Sequence, residues 1–257
     1  MGFFNLPILK TIYLRQRKRE SGIEHGRFIQ LDGANEEFFG TKFGPQQLQN
    51  VLEWEYYKSD YSKCLELCLR WIQLNEKEKQ FKMGEIYEIA CRCSLKLAKL
   101  DLALKYAELV IASNGKEPGV MFLAAQVFKK SQKYTEAIEL LVKYLDYRRN
   151  DYLAYVELSD IFDSLGKSHP EFKAWAYFSL SLAIYFIERS PRPKTDFADK
   201  HVQKEIPALK AKLAELPVAT SVDHDILRTV KLSKSACDYL CTKIYDNRTN
   251  IENEIQQ

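Results

Sequence analysis

A chain of 257 residues with 46% hydrophobic and 28% charged side chains can bury a sizeable core, and this balance excludes an intrinsically disordered protein. The net charge of +3 is spread thinly, as +2 over residues 1–45, 0 over 46–190 and +1 over 191–257, so the summed charge shows no basic stripe for a run of phosphates. Six cysteines without a secretory signal pattern argue against a disulfide framework, and the longest uncharged apolar run, Ala174 to Ile187, has 14 residues where a bilayer span needs roughly 17–25.

Residues 1–45 form a basic and largely irregular arm. The first 19 residues lack acidic side chains and end in the cluster Arg15, Arg17, Lys18 and Arg19. This cluster reads as a solvated chain end, as a targeting signal or as a phosphate contact. Five glycines within residues 20–45 oppose any sustained helix, and Gly44-Pro45 marks a boundary with Pro45 suited to the first turn of a helix.

From Gln46 the apolar residues recur at spacings of 3 and 4, the signature of helices with one buried face. The first pair of helices starts at about 46–58 and continues after the turn Ser59-Asp60 with Tyr61, Cys64, Leu65, Cys68, Trp71 and Ile72 on one face. A second pair covers about 80–97 and 100–113, and ends at the turn signals Asn114-Gly115 and Pro118-Gly119. The third covers about 119–131 and 134–149, and the fourth about 151–165 and 170–188. Residues 189–197 break the pattern as a basic connector. A helix over about 198–216 follows, which Pro207 is expected to kink or restart. Thr220, Ser221 or Asp223 then caps a last helix over about 223–246, with Ile226, Val230, Ser233, Cys237, Leu240, Cys241 and Ile244 on its apolar face. The tail from Asn247 is polar.

Two stretches state the repeat directly. Leu97 to Ile111 and Ser131 to Leu145 carry apolar residues at the same offsets when Ala103 is set on Ala137, a period of 34 residues. Cys64, Ala103, Ala137 and Ala174 then share one position, 39, 34 and 37 residues apart. A small side chain there lets two helices of a pair cross closely, where a large one overpacks at a cost of about 1–3 kcal/mol.

These residues carry a resemblance. Tyr134-Thr-Glu-Ala137 with Phe128 before it, and Asp101-Leu-Ala103 with Ala90 and Cys91, resemble the tetratricopeptide repeat over about residues 46–190. The family's tryptophan near the start of the first helix is absent from all four units, and the outer two units are degenerate. The resemblance implies an all-α fold of antiparallel hairpins stacked as a right-handed α-solenoid, closed by the two C-terminal helices of residues 191–257. It implies a concave face lined by first helices, which places Gln49, Glu53, Tyr56, Glu88, Arg92, Phe122, Gln126, Lys130, Val156 and Asp160 on a partner-binding surface. A subset of the family clamps the C-terminal carboxylate of chaperones with Lys, Asn and Arg. The matching positions here are Gln49, Glu53, Ile89, Gly119 and Leu123, so no such tail is expected to bind.

The residues offer no catalytic or cofactor constellation. His25, His169, His201 and His224 have no metal-ligand spacing, and His224 reads as a surface residue near a helix start. Cys64/Cys68 and Cys237/Cys241 lie four apart on apolar stripes, where a thiol acts as a small hydrophobe. Gly166-Lys167-Ser168 resembles the end of a phosphate loop, but Ile161 stands where that loop needs glycine, and a helix precedes it. The chain is therefore expected to be a non-enzymatic scaffold or adaptor in complex assembly, without cofactor or metal. Its partner is expected to be a protein peptide or helix, and its location the cytoplasm, with a mitochondrion or nucleus reached through the basic arm as the alternative. The competing reading is an RNA-associated helical-repeat protein.

Overall fold

In a computed structural model, the structure describes residues 44–78, 83–190 and 196–245. The cluster Arg15, Arg17, Lys18 and Arg19, the connector at 191–195 and the tail from residue 246 lie outside the described residues. Those described are helical, with no strand among them. In chain order the helices are α1 (Gly44–Tyr57), α2 (Tyr61–Glu78), α3 (Gly84–Lys96), α4 (Leu100–Asn114), α5 (Pro118–Lys130), α6 (Tyr134–Tyr147), α7 (Tyr152–Leu165), α8 (Phe172–Arg189), α9 (Asp196–Glu215) and α10 (Lys234–Tyr239). A 3-10 segment, Asp225–Val230, precedes α10, and a π-helical stretch, Leu240–Tyr245, follows it. The chain divides into two compact units, one ending at Lys99 and the other beginning at Leu100. The second helix pair expected from the sequence straddles that division.

In the first unit α1 packs on α2, α2 on α3, and α1 also meets α3. The core is built from Leu52, Cys64, Leu65, Cys68, Trp71, Ile86, Ala90 and Cys93. The small residue at position 64 has a visible purpose. Its thiol reaches across to donate to the Leu52 carbonyl at 3.4 Å, a close crossing that a larger side chain would block.

In the second unit each helix from α4 to α8 packs on the next, and α5 also touches α7. Ala103, Ala137 and Cys64 are each fully buried. Ala174 departs from that pattern and is half-buried. The close crossing of α7 and α8 falls instead at Ala176, whose carbonyl accepts from Ser159 Oγ at 2.9 Å. The turn between α7 and α8 is wider than the others, and this moves the register of α8 by two residues.

Three of the turns are built alike. Ser59, Ala98 and Gln132 take left-handed backbone angles, with φ of 65°, 56° and 60°. After each, the next N–H closes a six-residue ring onto the end of the preceding helix: Asp60 to the Glu55 carbonyl, Lys99 to Ser94 and Lys133 to Phe128. The left-handed residue itself donates to Tyr56, Leu95 or Lys129. This is the Schellman closure, which satisfies carbonyls that a helix end leaves unpaired. The separations, 39 and 34 residues, are those of the sequence repeat.

The chain after α8 differs from expectation at two places, Pro207 and the last helix. α9 packs on α8 and continues through Pro207 as one helix. The single helix expected over about 223–246 is broken. Asp223 accepts from the Asp225 N–H at 2.9 Å and starts the 3-10 segment, Lys231 turns left-handed (φ 53°) and stops it, and Ser233 caps α10 by accepting from the Ala236 N–H at 3.2 Å. The bend lays this segment on the second helices of the last two pairs. α10 meets α6, and the π stretch meets α8. Thr135 donates to the Val230 carbonyl at 2.8 Å, Trp175 Nε1 donates to the Asp223 carbonyl at 3.1 Å, and Glu139 accepts from both Ser233 N and Oγ. Leu227, Leu240 and Ile244 are fully buried beneath it.

Candidate functional site

Helical spacing places Gln49, Glu53 and Tyr56 on one face of α1, and Glu85, Glu88 and Arg92 on one face of α3. The structure joins these faces within the first unit. Gln49 Nε2 donates to Glu53 Oε1 at 3.3 Å and, across to α3, to Glu85 Oε2 at 2.6 Å. Glu88 is buried and receives the Arg92 guanidinium at 3.0 Å from Nε and 2.6 Å from a terminal nitrogen. Burial pushes the Tyr56 hydroxyl up to about 12, against the nearby Arg92 charge, so this ring remains a neutral donor at physiological pH. Its ring packs edge-on against Tyr61 at 5.3 Å.

The second unit repeats the arrangement with different residues. Gln126 on α5 donates to Glu157 on α7 at 2.8 Å. Lys129, one turn further along α5, forms ion pairs with Glu157 and with Asp160, the latter at 2.8 Å. Asp160 in turn pairs with Lys212 from α9. Burial depresses the Lys129 ammonium, but the two carboxylates outweigh it and hold the group above its ordinary value. Burial likewise disfavours the Asp160 charge, and Lys129 and Lys212 together reverse this, holding the carboxyl below its ordinary value. Of the remaining sequence candidates, Phe122 is only 6% exposed and packs against Tyr144 at 5.1 Å, Val156 is half-buried and Lys130 is exposed.

Four members of these networks escape single-helix reading: Glu85, Lys129, Glu157 and Lys212. A signal for two of them exists. Gln126 to Glu157 and Lys129 to Asp160 are both 31 residues apart, one helical turn short of the 34-residue period. Side chains at that offset on neighbouring first helices face each other.

The buried cysteines form a second cluster in the first unit. Cys68 and Cys93 each hydrogen-bond to Cys64, and this together with burial holds both thiols above the ordinary range, while burial pushes Cys91 up to about 12. Cys68, Cys91 and Cys93 therefore stay protonated and serve as small apolar packing groups, whereas the hydrogen bonds with Cys68 and Cys93 hold the Cys64 thiol below its ordinary value against its burial. Among the described residues no group of three or more His, Cys, Asp or Glu side chains is placed to hold a metal ion, and no helix is long and apolar enough to cross a membrane. No protein-family model matches the chain, and no curated protein matches it significantly.

Proposed function

We propose that the protein is a non-enzymatic scaffold or adaptor that holds a peptide or helix of a protein partner on the face formed by its first helices. One observation carries this reading. In each unit, neighbouring first helices are cross-linked side by side through polar side chains, Gln49 to Glu85 in one and Gln126 and Lys129 to Glu157 and Asp160 in the other. A face of that kind is held rigid and keeps hydrogen-bonding groups at its surface. A partner's backbone and polar side chains can then bind without first ordering it. On this reading the pairs are turns of a right-handed α-solenoid of the tetratricopeptide type, and the helices after residue 190 are its cap.

The RNA-associated reading is weaker on the same surface. Arg92, Lys129 and Lys212 are each engaged by a carboxylate, and phosphate binding would have to displace Glu88, Glu157 or Asp160.

The test is a pull-down of the full chain from cell extract, with nuclease treatment, read by mass spectrometry alongside Glu53→Lys and Lys130→Glu variants. A stoichiometric protein partner that survives nuclease and is lost on charge reversal supports the scaffold. Loss of every partner under nuclease, together with a salt-dependent RNA shift by the purified protein, replaces it with the RNA reading.

A further inference from the structure

Away from the first-helix face, the bend in the C-terminal segment brings two chemically active side chains together. His224 stands just before the 3-10 segment and Cys241 lies in the π stretch, 17 residues on. On one continuous helix they would be about 25 Å apart. The reversal at 231–233 instead places His224 Nδ1 3.0 Å from Cys241 Sγ.

The imidazole is fixed in that position. Trp175 meets it edge-on at 5.8 Å and 83°, and Tyr245 does the same at 5.0 Å and 87°. The backbone beside it is anchored by the bond from Trp175 Nε1 to the Asp223 carbonyl. His224 is exposed and Cys241 half-buried, so a small reagent can reach the sulfur. A base held within hydrogen-bond reach of a thiol is the arrangement that generates a nucleophilic thiolate.

We propose that Cys241 is a reactive thiol activated by His224, and a modification site for small electrophiles, hydrogen peroxide among them. The Sγ proton passes to His224 Nδ1, and the sulfur lone pair attacks. With iodoacetamide the S–C bond forms as the C–I bond breaks, and iodide leaves with the bonding pair. With hydrogen peroxide the S–O bond forms as the O–O bond breaks. The leaving hydroxide takes the proton back from the imidazolium, giving sulfenic acid and water, with sulfur oxidised and peroxide reduced.

The chain contains its own control. Cys237 lies one turn earlier, is also half-buried, and is held above the ordinary thiol range by burial and by the carboxylates of Asp238 and Glu139. Cys64, Cys68, Cys91 and Cys93 are buried. The experiment treats the folded full chain with limiting iodoacetamide and follows alkylation of each cysteine by mass spectrometry. Cys241 is expected to react about tenfold faster than Cys237. His224→Gln and His224→Phe, the second retaining an aromatic ring between Trp175 and Tyr245, are each expected to slow Cys241 several-fold and so shrink that difference while Cys237 keeps its rate. Equal rates at the two cysteines in the wild type overturn the proposal. So does an unchanged ratio in both variants, or a joint rise at both cysteines, which assigns His224 to packing alone.

Discussion

At Ser59, Ala98 and Gln132 the backbone adopts a conformation that costs an L-residue about 1–2 kcal/mol, of which glycine would return part through its own greater unfolded-state freedom, about 0.5–1 kcal/mol. Replacing Ala98 or Gln132 by glycine is therefore expected to stabilise the protein by about 0.5–1 kcal/mol, read as a higher denaturation midpoint at unchanged slope. The absence of glycine and asparagine at these turns also explains why their conformation was not legible in the sequence, although their positions were. The small residues at 64, 103 and 137 were legible because size at a close crossing shows directly in residue type. Ala174 misled because the wider turn before α8 moves the crossing to Ala176. A second residue-scale prediction concerns Asp160, which lies between Lys129 and Lys212. Asp160→Asn is expected to cost about 1–2 kcal/mol, between the values for exposed and buried pairs. The Asp160 pKa is lowered on folding, so its contribution is present above the unfolded value of about 3.9 and lost as pH falls through the folded value. The Lys129 pKa is raised, so its contribution is present below about 10.4 and lost as pH rises through the folded value. The gap between wild type and variant should thus be full from about pH 5 to 9 and close in strong acid, as denaturation midpoints across that range will show.

Among the elements, α1 to α8 follow from apolar spacings of 3 and 4, and their ends agree with expectation to within a few residues. The C-terminal bend does not follow, for a specific reason. Ile226, Val230, Ser233, Cys237, Leu240, Cys241 and Ile244 read as one unbroken face, yet the 3-10 segment and α10 use that face from opposite sides of the reversal. In the sequence Ser233 reads as part of an apolar stripe, whereas its side chain caps α10 and binds Glu139. Ser233→Ala removes the cap and the hydroxyl bond to Glu139, and is expected to cost about 1 kcal/mol or somewhat more. The local signature is faster amide hydrogen exchange across residues 234–245 with α5 unchanged. Uniform acceleration over the whole second unit would instead show that the segment has no separate opening.

For the whole molecule, the polar ladders between first helices were only partly legible. Gln49, Glu53, Glu88, Arg92, Gln126 and Asp160 read from the sequence as lying on first-helix faces, but pairing across helices depends on packing offsets that no single helix displays. The proposed binding face carries Gln49, Glu53 and Ile89 where a carboxylate clamp would need cationic and amide donors. Titration with a chaperone C-terminal peptide is expected to give no saturable binding, whereas unrelated peptides from a true partner should bind and compete with one another. The long-range bonds of the C-terminal segment, Thr135 to Val230 and Glu139 to Ser233, join residues 95 and 94 positions apart. They have a consequence for the order of assembly. During synthesis α6 and α8 emerge well before the segment that lies on them, so their outer surfaces wait uncovered while the rest of the second unit is made. Contacts of such separation close late. Refolding followed by Trp175 fluorescence should show a final step as Asp223 docks, and a chain cut after residue 219 should lose that step and associate more readily as its concentration rises.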